Sequence, residues 1–592
     1  MDKIRNFQKI LGRKQIKAYI IPTSDYHNSE YVSSYFKGRA FLTGFTGSAG
    51  TLIITQDKAY LWTDGRYHIQ AAKQIENRPI VLMKQGNPGV PTITEFLSNY
   101  LIEGDTLAFD GKVLSANMVL ELIKNLPNIK IKADEDILQE VWSDRPNLPF
   151  SFIYKLETFF TGKSFQEKIN LIREEMKQKN ATVHILTSLE DQAWLYNLRA
   201  NDIEHTPVFL AYTIITYEDC YLFLDQRKLD KMLESYLKEN KIILNTYFYF
   251  YEFIKNLNNQ NILVDYNIIN YSTYLNIISE NTLMNFSNPS LLMKAIKNET
   301  EIKNIISAHI KDGVAFTKFM YYLKNNIQTS SSMSEISVSE YLQKQRENQE
   351  GFVDVSFNTI CAYKEHAAMM HYSATPATNA TLKPEDLLLI DSGGHYLDGT
   401  TDITRTLALG SLTSTQKLHF TTVLKSVIAL SEAVFLKGTR GMNLDILARG
   451  PIWKLLMDYK CGTGHGVGYL LSVHEAPNGF RWKTVPERND SAILVPGMIT
   501  TNEPGIYLEN KYGIRIENEL LCVEKDSNEF GEFLGFETIT YAPIDLDAIE
   551  KKLLTSDEKK WLNQYHEKVF ETLEPYLTNE EKEWLKEYTK AI

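Results

Sequence analysis

An apolar run that ends in a carboxylate is the feature that most constrains this chain. Residues 387–390 are Leu-Leu-Leu-Ile, and Asp391 follows at once. A buried strand that carries an unpaired charge loses several kcal/mol of solvation free energy, so a positive group must lie opposite. The fold must therefore place a metal cation or a cationic side chain against Asp391.

Three more acids have apolar or glycine-rich neighbours: Asp402 in TTDIT, Glu503 in TNEPG and Glu517 in RIEN. Four carboxylates carry four negative charges, which two divalent cations would neutralise. Each acid alone has a structural explanation, such as an ion pair between Glu517 and Arg515. Together, the four favour a dinuclear metal site.

The histidines are concentrated in the same part of the chain. Six of the twelve lie between His366 and His474. His465 lies in GTGHGVG, where glycines let the backbone approach a ligand and the imidazole offers a neutral nitrogen. This run lacks both the G-x-G-x-x-G spacing and the Lys-Ser/Thr of a P-loop, so it does not favour nucleotide binding. Metal or proton chemistry is the better interpretation.

Composition and hydropathy exclude several classes of partner. The chain has 74 acidic and 63 basic residues and a net charge of −11, which disfavours nucleic acid and anionic lipid. No segment approaches the ~20 apolar residues that cross a bilayer, and the start lacks a signal-peptide core. The four cysteines have no C-x-x-C spacing, which predicts reduced thiols. We therefore expect a cytoplasmic protein without membrane association.

A helix followed by a short apolar strand occurs twice in the first half of the chain. A helix from Asp2 to about Leu11 precedes a strand at 18–21, and a helix from Phe165 precedes a strand at 183–186. The similarity predicts a faint internal repeat. A linker with two prolines separates the two copies.

The remainder of the chain predicts a larger α+β domain. Strand-like alternation over 379–409 is followed by a predicted helix over 413–435, which Ser414 or Thr415 could cap. The tail from Asp547 has the amphipathic pattern of two or three surface helices. We predict three domains, the last with a C-terminal extension from about 530 to 592: 1–150, 151–290 and 291–592.

The order of the motifs IDSGGHY, TTDITRT, GTGHGVG, NEPG and RIEN resembles the five-ligand dimetal site of the pita-bread metallopeptidases, family M24. Other segments, among them AYIIPTSDYHNSEY, GFTGSAGT and LGFETITYAPIDLD, resemble the three-domain cytosolic Xaa-Pro aminopeptidases. The resemblance implies an α+β chain of two creatinase-N-like α/β domains and a pita-bread catalytic domain with a helical extension. It also implies a homodimer.

The resemblance further implies a role for each metal ligand. Asp391 would bind one metal, His465 and Glu503 the other, and Asp402 and Glu517 both. We expect Mn²⁺ from the oxygen-rich ligand set, with Co²⁺, Fe²⁺ or Zn²⁺ as alternatives. A hydroxide between the metals would attack the peptide bond, and Glu503 would carry a proton to the leaving proline nitrogen.

Other residues match positions of the family that contact substrate or support ligands. His371 and His474 would bind the scissile carbonyl and the oxyanion, and Arg515 would orient a ligand carboxylate. Cys461 stands near the proline subsite, where many members have histidine, which leaves the fine substrate preference open. His366 could serve as a third partner of the substrate.

The implied reaction is metal-dependent release of the first amino acid from peptides with proline in second position. Proline lacks an amide N–H and has a fixed φ, so general aminopeptidases leave such bonds intact. One alternative is a prolidase restricted to Xaa-Pro dipeptides. Another is a catalytically silent pita-bread protein that only binds peptides.

His395 and His419 are predicted to be surface or packing residues.

Overall fold

The computed structural model of the chain describes residues 3–484 and 490–592. Two compact units divide the chain: Met1–Thr158 with Lys163–Leu291, and Phe159–Gly162 with Leu292–Ile592. The division at residues 150 and 290 remains a prediction. Over the described ranges, no helix combines the length and apolar character that a bilayer crossing requires.

The N-terminal unit contains two six-stranded sheets of one topology. The strand order in the first is Val81–Lys84, Ala59–Thr63, Thr51–Thr55, Ala18–Pro22, Thr106–Ala108 and Lys130–Lys132. The order in the second is Ile242–Thr246, Cys220–Leu224, Ala211–Thr216, Val183–Leu186, Asn261–Val264 and Thr282–Asn285. In each sheet the fourth strand pairs antiparallel with the third and parallel with the fifth. The predicted internal repeat is thus confirmed.

Corresponding helices precede the corresponding strands. The first is Lys3–Arg13, which buries Ile4 and Phe7; the predicted start at Asp2 lies outside the described residues. The second is Phe165–Gln178, which Ser164 caps. The other α-helices of this unit are Gly38–Thr43, His68–Gln74, Ile93–Tyr100, Ala116–Asn125, Leu138–Val141, Leu189–Tyr196, Lys231–Glu239, Tyr249–Lys255 and Tyr271–Asn276.

The described part of the C-terminal unit contains four sheets. The largest has the order Val434–Leu436, Gly531–Thr538, Asn518–Asn528, Ile499–Asn502, Gly464–Gly466 and Glu475–Phe480. Two three-stranded sheets consist of Phe352–Val355, Gly394–Tyr396 and Gly399–Thr400, and of Ile360–Tyr363, Leu387–Ser392 and Ile403–Ala408. Gly505–Leu508 and Tyr512–Arg515 form a hairpin. The expected antiparallel sheets with covering helices are confirmed.

Among its described residues this unit has six long helices: Glu299–Asn326, Glu335–Glu347, Ser414–Ser431, Gly441–Trp453, Ser556–Leu573 and Asn579–Tyr588. The predicted helix over 413–435 ends early, because Val434–Leu436 pairs with Gly531–Thr538 as an edge strand. The predicted cap was also wrong: Thr413, with Gln416, forms the capping box. The amphipathic tail is confirmed, and it buries Leu562 in the core that these helices cover.

Candidate metal centre

Strand pairing brings the acids together from distant parts of the chain. Asp391, in strand Leu387–Ser392, lies opposite Thr404 of the neighbouring antiparallel strand. Asp402 comes directly before that second strand. The carbonyl of Thr404 accepts a hydrogen bond from the N–H of Glu517 at 3.0 Å. Three of the four acids therefore converge through backbone hydrogen bonds.

His465 and Glu503 come from two neighbouring strands of the six-stranded sheet. His465 is the middle residue of Gly464–Gly466, and the adjacent strand Ile499–Asn502 ends just before Glu503. The N–H of Glu503 donates to the carbonyl of Thr463 at 2.8 Å. This bond fixes the backbone of Glu503 beside that of the histidine.

The ligand atoms are close enough to share a cation. Those of Asp402, His465 and Glu517 all lie within 4.8 Å of one another. His465 Nε2 is 3.6 Å from Asp402 Oδ2 and 3.5 Å from Glu503 Oε1. His465 Nδ1 lies 2.9 Å from the carbonyl oxygen of Gly466, which can only accept a hydrogen bond. Nδ1 therefore donates this hydrogen bond, and Nε2 is the nitrogen that faces the carboxylates and could bind a cation.

Three carboxylate oxygens in this cluster are buried and have no hydrogen-bond partner: Asp391 Oδ1, Asp402 Oδ1 and Glu517 Oε1. Buried polar atoms in folded proteins ordinarily have partners, because an unpaired one costs desolvation free energy. Carboxylate oxygens with one imidazole nitrogen are a common ligand set for divalent first-row metals. The residues present therefore fit divalent cations.

The electrostatics of the cluster also favour a cation. Burial raises the pKa of Asp402 well above its ordinary value, and the charges of Glu517 and Asp391 raise it further. Burial likewise raises the pKa of Glu517, with Glu503 and Asp391 as the next causes. The pKa of Glu503 is raised by burial and partly lowered by Arg515. A divalent cation would supply the positive charge that lets these groups ionise together.

Arg515 is buried at the edge of this cluster and contacts several of its parts. Its guanidinium pairs with Asp391 and donates to the hydroxyl of Thr404 at 3.1 Å and that of Tyr507 at 2.7 Å. The Thr404 hydroxyl in turn donates to Glu517 at 2.6 Å. Arg515 thus contacts Asp391 directly, and it is linked to Glu517 through the hydroxyl of Thr404.

The two predicted substrate-binding histidines are partly buried near the cluster. The ring of His474 lies edge-on to that of His465, with 4.3 Å between centroids. His371 follows Met370, whose carbonyl lies 3.5 Å from Arg515 Nη2. The structure therefore places one histidine beside the predicted ligand histidine, and the other on a loop next to Arg515.

Cys461 lies three residues before strand Gly464–Gly466 and is partly buried. Burial, with a smaller contribution from the charge of Glu503, raises the pKa of its thiol to about 11. The thiol is therefore protonated at neutral pH, and a protonated thiol is a poor metal ligand.

The other three histidines between residues 366 and 474 contact partners other than the predicted metal ligands. His366 Nδ1 bonds to Glu335 at 2.8 Å, so the structure assigns this ring to a carboxylate of the chain. His395 Nδ1 lies 2.9 Å from the hydroxyl of Thr400, and His419 Nδ1 lies 2.9 Å from that of Tyr512. Both of these are buried, which confirms packing roles.

Sequence reasoning missed a fifth carboxylate, Glu519. It is fully buried and accepts a hydrogen bond from the backbone N–H of Asp402 at 2.8 Å. Its other oxygen lies 3.1 Å from Nε2 of His309, which is also fully buried. The available signal was its spacing, since a residue two positions after Glu517 points to the same side of an extended chain.

Four family models match consecutive parts of the chain. The Creatinase/Prolidase N-terminal domain matches residues 3–141 and, in a second version, 144–301. Metallopeptidase family M24 matches residues 303–524, and the C-terminal region of peptidase M24 matches 532–592. The predicted metal ligands all fall within the match to family M24.

Relatives match over almost the whole length. A probable Xaa-Pro aminopeptidase P of Laccaria bicolor is 37% identical over 97% of this chain and 91% of its own. Xaa-Pro aminopeptidase 1 of Dictyostelium discoideum is 37% identical over 98% of this chain and 93% of its own. The chain belongs to metallopeptidase family M24. The whole chain is similar in structure to X-prolyl aminopeptidase of Caenorhabditis elegans, with a TM-score of 0.94 and 32% identity over 100% of this chain and 98% of that one. That protein is described as a cytosolic enzyme with a di-nuclear active site.

Proposed function

We propose that this chain is a dinuclear Xaa-Pro aminopeptidase, which releases the first residue of peptides whose second residue is proline. The observation that carries the proposal is the cluster of buried Asp402, partly buried His465 and buried Glu517, with ligand atoms within 4.8 Å of one another. Relatives named Xaa-Pro aminopeptidase support it, because they match nearly the full chain. A dedicated site suits this bond, since proline has no amide N–H for a general aminopeptidase to bind.

Five side chains would hold two divalent cations: Asp391, Asp402, His465, Glu503 and Glu517. Their four carboxylates balance the four positive charges, and the oxygen-rich ligand set favours Mn²⁺. When bound, such a pair of cations polarises the scissile carbonyl and lowers the pKa of the attacking water.

Glu503 is the residue that we assign to proton transfer. Its Oε1 lies 3.5 Å from His465 Nε2 and 3.3 Å from the hydroxyl of Thr501. Because burial raises the pKa of Glu503, its carboxylate accepts a proton more readily than that of an exposed glutamate. It would take a proton from the attacking water and deliver it to the proline nitrogen that leaves.

His371 and His474 are assigned to the substrate carbonyl. An imidazole N–H can donate to the carbonyl oxygen and more strongly to the oxyanion that forms from it, which stabilises the transition state. The position of His474 beside His465 supports this role. Cys461 would contact the proline of the substrate, where a protonated thiol is a small, weakly polar surface.

The alternatives differ in substrate or in activity. A prolidase would cleave Xaa-Pro dipeptides and leave a tripeptide intact, and the full-length match to an X-prolyl aminopeptidase disfavours it. A silent peptide-binding protein would have no use for an intact ligand set, and here all five expected ligand types are present. Aminopeptidase activity is therefore the function that the site supports best.

The test is hydrolysis of Arg-Pro-Pro by chelator-stripped protein with and without Mn²⁺. We expect Mn²⁺-dependent release of arginine, and a kcat about 10²–10⁴-fold lower in Glu503→Gln, with bound metal measured alongside. Glu509→Gln is the matched control, because Glu509 is exposed six residues along the chain. Cleavage of dipeptides alone would favour the prolidase, and no cleavage with any cation would contradict catalysis.

We also propose a homodimer that forms through an exposed apolar patch. Met442, Ile446 and Trp453 lie on one side of helix Gly441–Trp453 and are 39%, 47% and 38% exposed. Trp482, 47% exposed, packs edge-on against Trp453 with 6.0 Å between centroids. Exposed clusters of large apolar side chains mark interaction surfaces, and a two-fold axis would pair this patch with its copy.

We propose a cytoplasmic location. The Caenorhabditis elegans X-prolyl aminopeptidase is described as cytosolic. All four cysteines are free, as is usual in a reducing compartment. Cell fractionation with a tagged chain tests the proposal, and recovery from a secreted or organelle fraction would contradict it.

A further inference from the structure

We propose that Glu335 is a positioning residue of the active site, whose buried carboxylate holds the loop that carries His371. This inference rests on the proposed function, because it gives His371 the substrate role assigned above. Glu335 is the first residue of helix Glu335–Glu347 and is 0% exposed. It lies outside all the motifs that identify the metal site.

The carboxylate of Glu335 accepts four hydrogen bonds. Oε1 accepts from the backbone N–H of Tyr363 and from His366 Nδ1, both at 2.8 Å. Oε2 accepts from the hydroxyl of Tyr372 and from the backbone N–H of Ala380, both at 2.9 Å. Four donors use the full acceptor capacity of a carboxylate, which compensates for its burial.

These donors lie on both sides of His371 in the sequence. Tyr363 and His366 precede it, whereas Tyr372 and Ala380 follow it. Between residues 369 and 386 the chain forms no helix or strand, and an isolated bridge between Thr381 and Ser334 holds its later part next to Glu335. The part of the loop around His371 has no bridge of its own, and the bonds to the Glu335 side chain hold both of its flanks.

The opposite side of the same loop faces the metal centre. A Cβ atom at Gly513 would lie 1.9 Å from the carbonyl oxygen of Ala367, so the short 3-10 helix Lys364–Ala368, which leads into the loop, packs directly on strand Tyr512–Arg515. The carbonyl of Met370 lies 3.5 Å from Arg515 Nη2. Glu335 thus holds the loop from one side while this strand supports it from the other. The arrangement also explains His366, which serves as a donor to Glu335.

The experiment compares Glu335→Gln, His371→Ala and the double variant with the wild type on Arg-Pro-Pro. Glutamine keeps the volume but turns one acceptor into a donor, so it loses two of the four bonds. We expect kcat to fall by about 10²-fold, as a misplacement of about 1 Å does, with KM changed less than about threefold and bound Mn²⁺ unchanged. Because Glu335 acts through His371, the double variant should be no slower than His371→Ala.

Asp545→Asn is the matched control. Asp545 is also 0% exposed, and it bonds to Lys324 at 2.6 Å and to the N–H of Ala408 at 2.8 Å, away from the loop. Additive losses in the double variant, or a kcat loss equal to that of Asp545→Asn, would overturn the inference. An inactive wild type would overturn the proposed function itself, which is a separate and visible result.

A second pair of variants serves if Glu335→Gln fails to fold. His366→Asn keeps a donor near the place of Nδ1, whereas His366→Ala removes it. We expect the asparagine variant to retain most of the kcat and the alanine variant to lose at least about tenfold. Equal activities of the two would overturn the inference.

Discussion

Arg515 lies outside the proposed ligand set and supports the candidate metal centre through several contacts. It bonds to Asp391, Thr404 and Tyr507 in three directions at once. Lysine keeps the charge but lacks the planar fork of donors. We expect Arg515→Lys to weaken Mn²⁺ binding by about 10–100-fold, measured by titration calorimetry on chelator-stripped protein. Arg227→Lys, at an exposed pair, should bind Mn²⁺ like the wild type; a wild-type affinity in Arg515→Lys would contradict the role.

The residues of the candidate site differ in whether their neighbours in the sequence reveal them. Asp391 and His465 were identifiable as candidate ligands because their immediate neighbours, an apolar run and a run of glycines, are unusual for charged or polar residues. Glu519 was not, because the N–H it accepts from belongs to Asp402, 117 positions away. Glu335 likewise has no distinctive neighbours, and its donors come from 28 to 45 positions along the chain. Such partners are determined by tertiary structure alone.

At the scale of elements, the strand that carries His465 depends on Gly464. A Cβ atom there would lie 1.8 Å from the carbonyl oxygen of Thr501 in the adjacent strand. Gly464→Ala must therefore push the strands apart and displace the imidazole. We expect at least about tenfold weaker Mn²⁺ binding and a comparable loss of kcat/KM.

Gly12→Ala is the control for this change. Gly12 lies in helix Lys3–Arg13, and a Cβ atom there meets nothing within 4 Å. Alanine should leave Mn²⁺ binding unchanged and raise the free energy of unfolding by about 0.5–1 kcal/mol, since it is the better helix former. Normal metal affinity in Gly464→Ala would show that the strand accommodates a methyl group.

Elements with strong periodicity were predictable, whereas their ends and partners were not. The amphipathic tail predicted helix Ser556–Leu573, and the apolar run predicted strand Val183–Leu186. The predicted helix over 413–435 extended too far because the apolar residues Val434–Leu436 suit a helix and a strand equally well. They form a strand because they pair with another strand about a hundred residues later. The order of strands in each sheet could not be predicted, because pairing between strands that are distant in the sequence leaves no local pattern.

At the scale of the whole molecule, the patch of Met442, Ile446, Trp453 and Trp482 predicts the oligomeric state. Trp453→Glu would place a charge in the interface, so we expect a monomer by light scattering where the wild type is a dimer. Met232→Glu changes an equally apolar side chain, 81% exposed in the other unit, and should leave the dimer intact. A wild-type monomer, or a dimer that survives Trp453→Glu, would contradict the proposal.

The carboxylate cluster makes the stability of the metal-free protein depend on pH in a defined direction. The pKa values of Asp402, Glu503 and Glu517 are raised in the folded state, so between about pH 4 and those values the folded chain holds protons that the unfolded chain has released. The free energy of unfolding contributed by these groups therefore falls as pH rises through that window.

Mn²⁺ should reverse this trend. The cation binds ionised carboxylates and displaces their protons, so its stabilisation grows with pH and reaches about 2.7 kcal/mol at a free concentration 100 times the Kd. Thermal unfolding at about pH 5 and about pH 8, with and without Mn²⁺, measures both effects. Asp402→Asn removes one of the carboxylates whose pKa is raised. In this variant we expect a smaller loss of unfolding free energy between the two pH values without metal, and a smaller stabilisation by Mn²⁺. The comparison separates the effect of this cluster from that of other titrating residues. If the metal-free wild type and Asp402→Asn lose the same unfolding free energy between the two pH values, the cluster is not the source of the pH dependence.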